Sequence, residues 1–135
     1  MKTIVLDSYA LLAYFGKEAG WDTVAELLAD AAADRYVLQC CVVNWGEVLY
    51  ITERVYGTDK ADEVEAVMDE LPVELIDADR ALTREVARLN VDGGLACADC
   101  FAAGLALVTD GEVMTGDPEF KAIEEQVAVR WLKSN

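Results

Sequence analysis

Histidine is absent from this chain. That excludes Ser-His-Asp and Cys-His catalysis, and it removes the commonest zinc ligand. Acid–base chemistry is left to carboxylates, Lys, Tyr, Cys, water or a metal ion. Basic residues are scarce as well: 11 Lys and Arg stand against 26 Asp and Glu, for a net charge of −15. Such a field repels nucleic acid, whose binders are usually basic. Bound cations, a clustering of the few bases, or a high-salt cytosol that screens long-range repulsion would each offset it. No apolar run reaches membrane-spanning length without a charge or Gly, so no membrane association is expected. The N-terminal Met-Lys-Thr-Ile-Val-Leu-Asp lacks the long apolar stretch and cleavage site of a signal peptide, and a cytoplasmic location is expected.

Cysteine is limited to Cys40, Cys41, Cys97 and Cys100. Neighbours in sequence rarely bridge. Cys97-Ala-Asp-Cys100 has the spacing of a redox motif without its strand context. A four-Cys zinc site has the right count, but the expected reading is four small buried hydrophobes in a reducing compartment.

What the chain does contain is apolar sequence: 54% of 135 residues, with no polar tract, repeat or linker. That is enough for one domain, residues 1–135, with a substantial core. Short apolar segments alternate with helical patterns. Strands are predicted at Thr3–Leu6, Tyr36–Cys41, Val73–Ile76, Glu112–Thr115 and Val127–Leu132. Between them lie Ser8–Phe15, stopped by Gly16, and a helix facing inward through Trp21, Val24, Ala25, Leu28 and Ala32. Next come Val43–Val55, ended by Gly57, and a helix capped by Thr58 or Asp59 that runs to Glu70. Asp79 is expected to cap a helix to Leu89, Asp92-Gly93-Gly94 leads into an apolar helix, and a short helix starts at Pro118. This alternation predicts an α/β domain of three layers (α/β/α) around a central, mostly parallel five-stranded sheet. Ligands of such folds bind outside the carboxyl ends of the strands.

Four acids stand out against the apolar background. Asp99 is the only charge in Leu95–Thr109, and Asp7 is the only charge between Thr3 and Phe15. Glu47 is alone in the run Val-Val-Asn-Trp-Gly-Glu-Val-Leu-Tyr-Ile, and Asp117 follows Val-Met-Thr-Gly. An isolated buried carboxylate costs several kcal/mol or more, so it is paired, protonated or bound to a cation. Hard oxygen ligands converging from several segments suit Mg²⁺ or Mn²⁺.

The order and context of these segments resemble a PIN domain, and within that family the VapC-type toxins of toxin–antitoxin pairs. The resemblance is carried by Ile-Val-Leu-Asp7-Ser8-Tyr-Ala-Leu-Leu, by Glu47-Val48 on the helix after the second strand, by Leu95-Ala-Cys-Ala-Asp99, and by Val113-Met-Thr115-Gly-Asp117-Pro-Glu-Phe120. It implies a metal-dependent endoribonuclease in which Asp7, Glu47, Asp99 and Asp117 hold one or two Mg²⁺ or Mn²⁺ ions. Ser8 and Thr115 would support them. It also implies an RNA substrate, a cognate antitoxin protein and a homodimer. Cys97 and Cys100 depart from the Ser and Ala more usual beside the third acid.

Plainer roles exist for each residue. Asp7 and Asp117 are placed to cap the helices that follow, the latter with Pro118 at the first helical position. Glu47 is within reach of an ion pair with Arg54. Glu119 is either an outer acid of the site or a solvated one. Arg80, Arg84 and Arg88 share a helix face that would meet RNA phosphates or pair with acids such as Glu85. Two other function classes compete: a degenerate PIN-like binding module, whose signature would be a lost acid, and a phosphoacceptor receiver. Asp77 ends the third strand as a phosphoacceptor would. However, a receiver needs an acidic pair where Ser8 follows Asp7, and a Lys that Lys133 is poorly placed to supply.

Overall fold

The computed structural model describes residues 1–132; Lys133 lies outside them. Five strands form the centre: β1 (Thr3–Leu6), β2 (Val37–Cys41), β3 (Glu74–Ile76), β4 (Glu112–Thr115) and β5 (Val129–Trp131). Six α-helices surround them: α1 (Ser8–Gly16), α2 (Trp21–Ala32), α3 (Val42–Tyr56), α4 (Thr58–Glu70), α5 (Arg80–Leu89) and α6 (Cys97–Val108). The segment Pro118–Ile123 is a 3-10 helix. The sheet order is β3-β2-β1-β4-β5. Every pairing is parallel, so the sheet is fully rather than mostly parallel.

Side-chain alternation along the strands builds two cores from one sheet. Ile4, Leu6, Leu38, Cys40 and Met114 face one side, where Leu11, Val24, Leu28, Val48, Val64 and Met68 of α1 to α4 close over them. Val5, Cys41 and Val113 face the other, against Leu82 and Val86 of α5, Ala102, Ala103 and Ala106 of α6, and Phe120. Burial on both faces explains why the central strands read as unbroken apolar runs rather than alternating ones. The α5–α6 contact is close: a Cβ at Gly104 would stand 2.9 Å from Val86 Cγ2.

Element ends differ in detail. Neither Thr58 nor Asp59 caps α4; Gly57 precedes it with a φ of 94° and no side-chain bond. Asp79 does cap α5, accepting the Leu82 N–H at 2.8 Å. Cys40, Cys41 and Cys100 are buried, but Cys97 is exposed in the first turn of α6, contrary to the expectation of four buried thiols. All four are free.

The sheet order determines where a site can form. From β1 the chain moves outward through β2 and β3, then returns to pair β4 on the other side of β1. The β1/β4 boundary is therefore the switch point, where a crevice opens at the carboxyl edge of a parallel sheet. A receiver-type sheet flanks its first strand with the second and third. Here β1 lies between β2 and β4, which removes the receiver reading.

Candidate metal centre

Asp7 is the residue directly after β1. Its N–H donates to Met114 O at 3.5 Å, extending the β1–β4 ladder by one step. Its extended backbone caps α1, with Oδ1 accepting the Ala10 N–H at 2.8 Å. The capping reading is thus correct, but it uses one oxygen only. The residue is 1% exposed, and Oδ2 is buried without a hydrogen-bond partner. Burial drives the carboxyl pKa up to about 7. The nearby Thr115 hydroxyl and the Ala10 N–H oppose the rise, and the charges of Asp117 and Glu47 add to it. The hydroxyl lies near enough to act on the carboxylate, while Oδ2 itself has no hydrogen-bond partner.

Asp99 stands in the first turn of α6, whose cap Ala96 supplies no side-chain bond. It is 9% exposed and its pKa is pushed up to about 8. Burial is the largest cause; side-chain hydrogen bonding with Glu119 and the charges of Asp117, Asp7 and Glu119 follow. Carboxylate oxygens of Asp99, Asp117 and Glu119 lie within 4.8 Å of one another. Glu119 therefore belongs to the cluster although it is exposed, a placement the sequence left open. The signal was its position in the first turn after Pro118, which turns it back toward α6.

Asp117 is half-buried and caps the 3-10 helix, with Oδ1 accepting the Glu119 N–H at 3.0 Å. Its own N–H donates to Thr115 Oγ1 at 3.0 Å. Thr115 is fully buried at the end of β4, so its hydroxyl pins the backbone that carries Asp117.

Glu47, in α3, is half-buried and stands outside the tight trio. The expected pairing with Arg54 does not form. Arg54 instead stacks over Tyr50 at 5.3 Å, and the Tyr50 hydroxyl donates to Glu47 Oε2 at 3.3 Å. Glu47 still reaches the site through its charge, which acts on Asp7.

The Ser8 hydroxyl is turned away from the acids. It donates to Asn44 O at 3.4 Å and accepts from Asn44 Nδ2 at 3.2 Å. Asn44 also donates to Ala98 O at 3.1 Å. One buried amide thus ties together the starts of α1, α3 and α6, which carry Asp7, Glu47 and Asp99. Sequence reading passed over Asn44; its only signal was a polar residue three positions before Glu47 on the same helix.

Among the described residues, every ion pair lies elsewhere: Lys2 and Arg130 with Glu112, Arg35 with Asp30, Lys60 with Glu63, and Arg88 with Glu85. Among those residues the clustered acids have no basic partner. A hard divalent cation would supply what they lack: positive charge, and a partner for the orphaned Asp7 Oδ2. The all-oxygen donor set fits Mg²⁺ or Mn²⁺ rather than zinc.

No curated protein sequence matches this chain. Solved structures do. VapBC from Salmonella typhimurium, determined bound to DNA, matches with a TM-score of 0.77 at 16% identity, over 98% of this chain and 100% of that one. VapBC2 from Rickettsia felis, also bound to DNA from its promoter, matches with 0.75 at 14% identity, over 97% and 99%. VapC20 from Mycobacterium tuberculosis, described as a toxin that cleaves the sarcin–ricin loop, matches with 0.70 at 16% identity, over 88% and 93%. At these identities the likeness is one of fold. The family follows from the sequence match itself: the PIN domain model covers residues 4–126, and the chain belongs to the PIN domain family.

Proposed function

We propose that this protein is a metal-dependent endoribonuclease, the toxin of a toxin–antitoxin pair acting in the cytoplasm. The observation that carries the reading is the set of buried or clustered acids at the switch point of the sheet, with no basic partner among the described residues. Asp7, Asp99 and Asp117 would hold Mg²⁺ or Mn²⁺, with Glu119 beside them and Glu47 orienting water or holding a second ion. When bound, such an ion lowers the pKa of water and offsets charge on the phosphate during in-line attack on phosphorus. The chain's own work is positioning. Thr115 anchors Asp117, Asn44 aligns three helix starts, and Tyr50 steadies Glu47. No histidine is needed.

The acidity is partly met by two cations. Arg88 pairs with Glu85 and is a solvated base. Arg80 and Arg84, one turn apart and exposed, form no ion pair among the described residues. Arg80 opens α5 four residues beyond the end of β3, at the same sheet edge as the acids. β3 is two positions from β1, about 10 Å away laterally at the usual strand spacing. Flanking phosphates of a bound strand would reach them. Arg80→Gln with Arg84→Gln should raise KM for RNA several-fold at low salt. The salt slope of binding should flatten by about 0.7 per arginine, with little change in stability. An unaltered KM at every salt concentration would make them solvated surface.

The partners of the similar VapBC structures are antitoxins. An antitoxin segment inserting Arg or Lys among these acids would make charge-assisted hydrogen bonds in place of the ion. We infer a homodimer from the family resemblance alone. The deciding experiment adds Mn²⁺ or Mg²⁺ to purified protein with structured RNA. Cleavage should appear, and chelator should stop it. Cleavage that survives chelation would remove the metal reading. Metal binding without any cleavage would favour the PIN-like binding module.

A further inference from the structure

Tyr9 is a large aromatic residue left 45% exposed in the first turn of α1, two positions after Asp7. Its inward neighbours Ala10, Leu11 and Ala13 are buried in the ordinary way. The ring itself lies against Gly116, the residue between Thr115 and Asp117. A Cβ at Gly116 would overlap Tyr9 Cε1 and stand 2.9 Å from Cζ and 3.0 Å from Cδ1. Any other residue there would have to displace the ring. The glycine is what admits an aromatic face to the rim of the acid cluster. The Tyr9 hydroxyl makes no hydrogen bond among the described residues, unlike that of Tyr50. The ring also borders a depression of about 330 Å³ lined with Leu12, Ala13, Glu18 and Ala19.

A chain with a net charge of −15 cannot draw its affinity for RNA mainly from phosphate contacts. Stacking of a base on an aromatic face is largely independent of charge, and RNA recognition favours unstacked bases in loops and single strands. We propose that Tyr9 is the stacking platform for an unpaired nucleobase next to the cleaved phosphate. The inference rests on the ribonuclease reading above.

The test compares Tyr9→Phe with Tyr9→Leu. Leu keeps apolar bulk against Gly116 and removes the π face; melting curves check that both variants fold. Binding is measured in the Asp99→Asn background, with a fluorescein-labelled single-stranded RNA 12-mer and a 12-base-pair RNA duplex as probes. Phe should bind the single strand within about twofold of Tyr, and Leu about tenfold more weakly, with duplex binding equal in all three. In the active protein with Mn²⁺, Leu should raise KM far more than it lowers kcat. Equal single-strand binding by Phe and Leu would overturn the proposal and make the ring a packing element. Unchanged RNA handling with a weakened antitoxin complex would also overturn it, assigning the ring to protein docking. If the protein with native Tyr9 and Asp99 neither binds nor cuts RNA, the ribonuclease reading falls first. Cleavage by that protein with no Tyr9 effect removes only the stacking.

Discussion

Asp99→Asn should abolish RNA cleavage while leaving the metal-free fold intact or more stable. Losing a cation ligand removes several kcal/mol of transition-state stabilisation, about a thousandfold in rate. The stability effect runs the other way. In the metal-free protein burial holds the Asp99 pKa at about 8, so the native state takes up a proton that the unfolded chain releases near pH 4. Asn is nearly isosteric and avoids that burden. The gain should be near zero at pH 4 and reach ~1 kcal/mol or more at pH 8. Mn²⁺ should raise the melting temperature of the wild type and not of the variant, because only a ligand that binds the native state stabilises it. If Asp99 instead anchored an ion pair, Asn would destabilise the metal-free protein and Mn²⁺ would move neither curve. Four melting series, with and without Mn²⁺, separate these outcomes.

The second large effect is on metal affinity. An ion that takes Asp7 and Asp99 as ligands has to displace the protons they hold below about pH 7 and pH 8. Each released proton makes affinity rise by up to tenfold per pH unit. Between pH 6 and 7 the rise should therefore approach a hundredfold, easing to tenfold toward pH 8 and levelling above it. Calorimetric titrations of Mn²⁺ in buffers of different ionisation heat would count the protons directly. Flat affinity from pH 6 to 8 would mean that neither acid is a ligand. Without metal the sign reverses. Both folded pKa values are raised, so the native state binds more protons than the unfolded chain between about pH 4 and 8. Their contribution is intact below pH 4 and is lost as pH rises to 8, on the order of several kcal/mol. Metal-free protein should melt at a higher temperature at pH 5 than at pH 8, and saturating Mn²⁺ should narrow or invert the difference.

Much of this site was legible one residue at a time. Asp99 and Asp7 each sat alone in an apolar segment, and burial of such segments follows from composition and period. Both carboxyls prove buried, with pKa values driven upward mainly by desolvation. Glu47 and Asp117 carried the same signal more weakly, and both are only half-buried. Asp117 doubles as a helix cap, and Glu47 reaches the others through charge rather than through the tight cluster. Glu119 stays open between site and surface in the sequence, because the segment after Pro118 is too short for a periodic pattern to show which way its side chains turn. Ser8, read as support for the acids, is bonded to Asn44 instead.

Read alone, the chain settled what depends on local pattern: the alternation of strands and helices, the two-faced burial of the strands, the caps at Asp7, Asp79 and Asp117, and the presence of acids in apolar surroundings. Those properties follow from nearest-neighbour chemistry and side-chain period. Tertiary structure decided what depends on segments meeting across long separations. The order β3-β2-β1-β4-β5, with β4 set beside β1, brings residue 7 against residues 115–117. The packing of α6 against the sheet, with its first turn at that edge, delivers Asp99 to Glu119, and Asn44 fastens α3 and α6 to α1. Hydrophobic periodicity states that a strand is buried but not which strand lies next to it. A site assembled from distant segments is therefore visible only once the sheet is assembled.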